Sequence, residues 1–349
     1  MQPAEASRLV KHYGAQLGFE RCGIARAAPL ARASYVEAWL DSGRGGTMDY
    51  MHRYLAQRID PTQLLDGAKS VIVVALNYNQ PHPSRERERP VTLDRGDPHE
   101  ADAARGKVAV YAWGDDYHDV LRTKLNGLLG HLRTELHEGF AAKVCVDTAP
   151  VIEREWAAAS GVGWIGKNTL VLHESLGSYF FLGVVVTTLE LEPDAPALDH
   201  CGTCTACLDA CPTAAFPAPY EMDASRCVSY LTIEHRGAIA EELHESMGSW
   251  VFGCDICQEV CPHNRRAPTT TEPRFAIRPP GPEPVLDELL HWSPDDYRTT
   301  LKGSAMRRAK LDMLQRNARI ARTNERLAAS QPEGSAVHEP TQRLPKTTQ

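Results

Sequence analysis

No apolar run in this sequence is long enough to span a membrane. The longest, YFFLGVVV at 179–186, is less than half of the roughly 20 residues a spanning helix needs. The start also lacks the apolar core of an export signal: MQPAEASRLVKHYGAQLGF carries Glu5, Arg8 and Lys11, where a signal peptide would turn uncharged. A surplus of positive charge is missing too. With 38 Lys and Arg against 45 Asp and Glu, the net charge is -7. That excludes a protein that holds nucleic acid by its overall charge, because phosphate affinity follows the cations presented. The expectation is a cytoplasmic chain with no membrane partner, in which any polyanion meets a local basic patch.

Cysteine, in contrast, is abundant. There are 10, eight of them between 201 and 261. In a reducing compartment these are thiols, and clustered thiols point to metal binding and not to disulfides. Cys201, Cys204, Cys207 and Cys211, followed by Pro212, fit C-x2-C-x2-C-x3-C-P. In that bacterial ferredoxin run three thiolates hold one cubane cluster and the fourth reaches a second. CDICQEVCP repeats the ending with Cys254, Cys257 and Cys261, but Val251 stands where its first cysteine is expected. Cys227 completes the count from a distance. Crossed pairing assigns Cys201, Cys204, Cys207 and Cys261 to one [4Fe-4S] cluster and Cys211, Cys227, Cys254 and Cys257 to the other. A zinc ribbon also uses C-x2-C pairs, but the triple spacing ending in Cys-Pro suits the corners of a cubane. Two such clusters imply one-electron transfer. Cys22 and Cys145 read as small core residues.

GVGWIGKNTL, at 161–170, overlays two nucleotide-binding patterns. As a dinucleotide fingerprint it should follow a strand and open a helix. It does the reverse, following the helical EREWAAAS and leading into NTLVL, which leans to strand. As a phosphate loop it has Asn168 where Ser or Thr would bind magnesium. What remains is a glycine turn that brings backbone close to something, with Trp164 and Lys167 beside it.

The chain before 194 alternates helical and strand patterns, with helices expected near 5–17, 35–41 and 118–137 and strands at 70–78, 107–113 and 141–147. A further helix is expected directly behind Pro150. A polar stretch at 81–106 reads as a surface loop. The domain expectation is 1–194, an α/β (α+β) domain; 195–268, a ferredoxin-type domain; 285–327, a basic helical segment; and 330–349, a disordered tail.

The stretches VDTAPVIEREWAAASGVGWIGKNTL, YAWGDDYH and RCVSYLTIEHRG, together with the gapped eight-cysteine region, resemble the epoxyqueuosine reductase family. The resemblance spans about residues 5–325. It implies cobalamin bound in the N-terminal domain, as in the related reductive dehalogenases, fed by the two clusters, with no protein ligand below cobalt. It implies Asp147 as proton donor, Arg154 as a cofactor contact, and Arg58, Tyr111 and Lys167 as further cofactor-facing positions. Read from the residues alone, Asp147 at a strand end is either a carboxyl withdrawn from water that holds a proton near neutrality or a helix N-cap. Arg154 and Lys167 are either contacts or solvated charges.

The implied reaction is reduction of epoxyqueuosine at the wobble position of tRNA to queuosine, as a monomer fed by an external donor of flavodoxin or ferredoxin type. The tRNA would meet the run from Arg298 to Arg322, with eight basic residues against one acid, and Arg307, Arg308 and Lys310 are its expected contacts. A reductive dehalogenase, or an electron carrier without its own catalytic site, are the competing readings. Many relatives continue into longer paired helices, so RNA contacts made there do not transfer to this chain.

Overall fold

The computed structural model describes residues 2–81, 103–136 and 139–330. Most of the polar stretch at 81–106 and the tail beyond 330 lie outside the described residues, as does His137 at the expected end of its helix. Helix α1 (Pro3–Gln16) leads into strand β1 (Arg21–Arg26), and helices α2 (Ala33–Asp41) and α3 (Leu55–Ile59) precede strand β2 (Ser70–Asn77). Then come β3 (Lys107–Val108), α4 (Tyr117–Leu136), β4 (Ala142–Cys145), α5 (Glu153–Ala159), β5 (Trp164–Ile165), β6 (Val171–Leu172) and β7 (Phe180–Thr187).

Strands pair in the order β1-β2-β7-β4, and every pair is antiparallel. The architecture is therefore α+β, not a parallel α/β sheet. Strand β2 explains why the two look alike in sequence, for it is buried along its whole length. Val71, Val73 and Ala75 pack with Val151, Trp156 and Ala157 on the α5 side. Ile72, Val74 and Leu76 pack with Val10 of α1 and with Leu121, Leu125 and Leu128 of α4. Helices on both faces leave no position for a polar residue, so alternation vanishes whatever the strand direction.

Three local expectations shift. The strand expected over 107–113 lasts two residues before the chain turns at Val110–Ala112. The strand expected to end at Asp147 stops at Cys145. The helix expected behind Pro150 begins at Glu153 with Ile152 as its N-cap and no capping side chain, so the N-cap role for Asp147 falls.

The cysteine region adds helices α6 (Ala206–Asp209), α7 (Val228–Ile233) and α8 (Ile256–Glu259) and strand β8 (Trp250–Phe252), which pairs in parallel with β3. Helices α9 (Leu286–His291), α10 (Pro294–Thr300) and α11 (Leu311–Ser330) follow. Helix α11 buries Met313, Leu314, Ala318 and Ala321 in the same core as the sheet, together with Val251 and Phe252 of β8. Among the described residues no helix is long and apolar enough to cross a membrane.

Polar bonds lock α11 in place. The Asn317 amide, fully buried, donates to the carbonyls of Thr232 and Val251, both at 2.9 Å. Asn317→Leu leaves those oxygens buried and unpaired, a cost of about 1–3 kcal/mol each. The urea midpoint should fall clearly, whereas Arg319→Ala on the exposed face of the same helix should shift stability by less than about 0.5 kcal/mol.

Candidate functional site

A cavity of about 1340 Å³ opens beside the sheet, larger than the roughly 300–1,000 Å³ typical of small-molecule pockets. Its walls come from the segment after α2, the Tyr111 turn, the start of α4, the loop at 147–155, part of the cysteine region including Cys227, and the turn Ala305–Arg308. Arg58, Tyr111, Asp147 and Arg154, far apart in sequence, all line it. Arg58 is buried, and its guanidinium donates to the carbonyls of Arg53 and Tyr50, both at 3.3 Å. Burial lowers its pKa below the usual arginine value. Arg154 donates to the Thr169 carbonyl at 3.0 Å. The Tyr111 ring packs near Phe252 and Tyr117, and burial, with the charge of Asp147 second, pushes its hydroxyl pKa well up.

Asp147 sits in the left-handed region with φ 53, a conformation that costs a residue with a side chain and so needs surrounding contacts to hold it. Its amide donates to Glu153 Oε1 at 2.6 Å, and its Oδ2 lies 3.2 Å from His118 Nε2. The other ring nitrogen, Nδ1, is 2.7 Å from Asp116 Oδ1. Tyr117 stacks on the His118 ring and on Phe181, with centroids 4.1 and 4.3 Å apart. Asp116, His118 and Glu153 were not singled out from sequence. The spacing in DDYH, which puts an acid and a histidine two residues apart ahead of a helix, was the available signal.

These contacts relocate the proton. Burial works to raise the Asp147 pKa, but the hydrogen bond and positive charge of His118, with help from Tyr117 and Arg308, hold it below the usual carboxylate value. Burial works to lower the His118 pKa, yet its bonds to Asp116 and Asp147 push it up to about 9. Burial and the neighbouring Asp147 charge push Glu153 up to about 8. Those shifts favour a proton on His118 and on Glu153 near neutrality, whereas at Asp147 a cation in hydrogen-bond contact outweighs burial.

None of the eight clustered cysteines forms a disulfide, and they fall into two groups. Cys207 is raised by burial and then by Cys261, Cys201 and Cys204. Cys257 is raised by burial and then by Cys227, Asp255 and Cys211 among others, and Cys254 feels Cys257 and Cys227. Those neighbourhoods follow the expected crossed pairing except that Cys257 also feels Cys207 of the other group. Buried thiols that repel one another's charge suit a metal cluster, which replaces their protons and neutralises them. The second group touches the cavity through Cys227, whereas Cys204 of the first is exposed.

Lys167 is not among the cavity-lining residues, so its expected cobalamin contact is corrected. Its ammonium donates to the carbonyls of Gly202 and Cys204 at 2.6 and 2.9 Å, on the loop of the first cysteine group. The glycines of GVGWIGKNTL serve the same approach. A Cβ on Gly163 would lie 2.3 Å from the Leu172 carbonyl oxygen, and one on Gly166 would lie 2.1 Å from Leu172 Cδ1 and 3.5 Å from Cys201 Sγ. What the backbone approaches is the β5–β6 hairpin and a cluster cysteine.

The basic run is partly consumed by the protein itself. Arg308 lines the cavity and chelates Glu234 at 2.8 and 2.7 Å, Arg322 bonds Asp287 at 2.9 Å, and Arg316 donates to the carbonyls of Leu231 and His235, both at 2.7 Å. Arg308 is thus exposed but already paired with an acid. Arg307 and Lys310 are exposed.

A family profile described as "Epoxyqueuosine reductase QueG" matches residues 58–148, and one described as "4Fe-4S double cluster binding domain" matches residues 200–264. The second match sets aside the zinc ribbon. An epoxyqueuosine reductase of Pseudomonas aeruginosa is 41% identical over 324 residues, covering 92% of this chain and 86% of that protein. One of Leadbetterella byssophila is 40% identical over 316 residues, covering 89% and 96%. Among solved structures, a selenomethionine-labelled epoxyqueuosine reductase superposes with TM-score 0.83 at 31% identity, covering 93% of this chain and 83% of that one. Another, described as bound to an epoxyqueuosine-modified tRNA-Tyr stem loop, gives 0.82 at 30% identity with the same coverage. On these matches, and with its own eight clustered cysteines, the chain belongs to the epoxyqueuosine reductase family.

Proposed function

We propose that this chain reduces the epoxide of epoxyqueuosine in tRNA to queuosine, using electrons relayed by two [4Fe-4S] clusters to cobalamin held in the cavity. One observation carries the reading: Cys227 and Asp147 stand on walls of the same cavity, so an electron source and a proton source face one recessed volume. Bound there, cobalamin would supply a low-valent cobalt centre that passes electrons to the epoxide. Arg58, Tyr111 and Arg154 would hold it, the two guanidinium groups suiting its amide and phosphate edges.

In the net reaction, two carbon–oxygen bonds break, one carbon–carbon double bond forms, and the oxygen leaves as water. The balance is two electrons and two protons. Asp147 is placed to hand protons to the departing oxygen, and His118, hydrogen-bonded to it, reloads it. Asp116 on the far ring nitrogen holds the imidazole in line. A structure of the Bacillus subtilis enzyme is described as having its aspartate catalytic loop swung out of the active site. Asp147 here is likewise on a loop, outside any strand or helix.

The RNA would enter at the mouth, where Arg53 and Arg236 are exposed and Tyr54 is 67% exposed. Arg307 and Lys310 extend the positive surface along the turn that carries Arg308. Cations gathered at one opening reconcile a net charge of -7 with a polyanionic substrate.

Asp147→Asn should lower conversion of the modified nucleoside about 10²–10⁴-fold while iron and cobalamin content stay unchanged. Conversion is read as the disappearance of one oxygen from the nucleoside mass. His118 has a raised pKa, so its proton is present below about 9 and lost above it. Turnover should therefore fall as pH rises through about 9, and His118→Gln should move that alkaline limb to lower pH without changing stem-loop affinity. Arg53→Glu with Arg236→Glu should weaken stem-loop binding and flatten its dependence on salt by about one unit of slope for each phosphate no longer neutralised. Unchanged affinity at moderate salt would remove the mouth from the RNA interface.

A further inference from the structure

The indole nitrogen of Trp164 is buried and has no hydrogen-bond partner among the described residues. Buried N–H groups are seldom left so, because the lost water bond is not replaced. Its surroundings show what it faces. Trp164 packs with Leu172, Cys261 and Cys201, and the rings of His200 and His263 stand edge-on to it at 4.9 and 5.0 Å.

Lys167 adds a charge at the same place. The side chain is 9% exposed, and its ammonium is anchored on the Gly202 and Cys204 carbonyls. Asp199, an acid that feels its charge, is exposed and already accepts from the Tyr220 hydroxyl and the Cys201 amide. Solvent screens that carboxylate more than it screens the buried ammonium.

We infer that Trp164 and Lys167 raise the reduction potential of the cluster held by Cys201, Cys204, Cys207 and Cys261, the indole by a hydrogen bond to its sulfur and the ammonium by a buried positive charge. A cluster gains one negative charge when it takes up an electron, and donors and cations close to its sulfurs favour that form. With Cys204 exposed and Cys227 of the other group on the cavity wall, this is the outer cluster, where an external donor delivers its electron. Stabilising the reduced outer cluster keeps that electron waiting until the inner cluster passes one on.

The test uses the full chain loaded with iron and sulfide, without RNA or cobalamin, so its result is independent of the reaction assigned above. Redox titration followed by electron paramagnetic resonance would compare the native chain with Trp164→Phe, Lys167→Met and Lys167→Arg. In Trp164→Phe and Lys167→Met one of the two cluster midpoints should move to more negative potential while the other stays. A tenfold change in the one-electron equilibrium corresponds to about 59 mV, and Lys167→Arg, which keeps the charge, should shift less than Lys167→Met. Two unmoved midpoints in fully iron-loaded Trp164→Phe, or both moving together, would overturn the inference, since the indole meets only one group of thiols. Should Lys167→Met bind less iron than the native chain, the Trp164→Phe titration decides alone.

Discussion

The hydrogen bond from the Val110 amide to Asp255 Oδ2, buried and 2.7 Å long, joins the two halves of the chemistry. Val110 opens the turn that carries Tyr111 into the cavity, and Asp255 lies between the cluster cysteines Cys254 and Cys257. A few residues away β3 pairs with β8, and the Gly253 amide donates to the Thr232 hydroxyl at 2.9 Å. Electron transfer depends on distance, so the cysteine region has to be fixed against the cavity wall. These bonds, together with α11 packed behind β8, do the fixing. The C-terminal helix is therefore part of the frame as well as a source of basic side chains.

A second constraint governs the proton. Asp147 stands among groups that pull its pKa in opposite directions: burial against His118, Tyr117 and Arg308. The cation wins because it is in contact, whereas the carboxylate keeps part of its surface open to the cavity. The outcome favours a proton on His118, which is hydrogen-bonded to Asp147. A large bound cofactor that dries the cavity would strengthen every one of these interactions. A similar balance of burial and polar groups marks the other cysteine group, where Trp164 packs on Cys201 and Cys261 and the Lys167 ammonium sits on the Gly202 and Cys204 carbonyls.

Much of this was legible in the chain. The cysteine spacing pointed to two clusters, because ligand geometry around a cubane is local and leaves a short repeat. The dinucleotide motif was rejected because the flanking helix and strand come in the wrong order, and the phosphate loop because Asn168 lacks the hydroxyl that binds magnesium. Less legible were strand direction and strand length. VIVVAL is as apolar in an antiparallel sheet covered on both faces as in a parallel one, and KVAVYAW contains a turn that its β-branched residues hide. Lys167 was misplaced because glycines and a lysine near a family motif do not say which of two neighbouring cofactors they face.

By itself the sequence determined the presence of two clusters, the alternation of helices and strands, the family, and the absence of a general positive charge. Those properties depend on residue type and on spacing over a few turns, and they survive any arrangement in space. Only the tertiary structure decided that Cys227 and Asp147 share one cavity, that His118 is hydrogen-bonded to Asp147, and that Arg308 is tied to Glu234. Each of these depends on side chains between 29 and 80 positions apart, and on the balance of burial against contact charge that exists only once the chain has closed on itself.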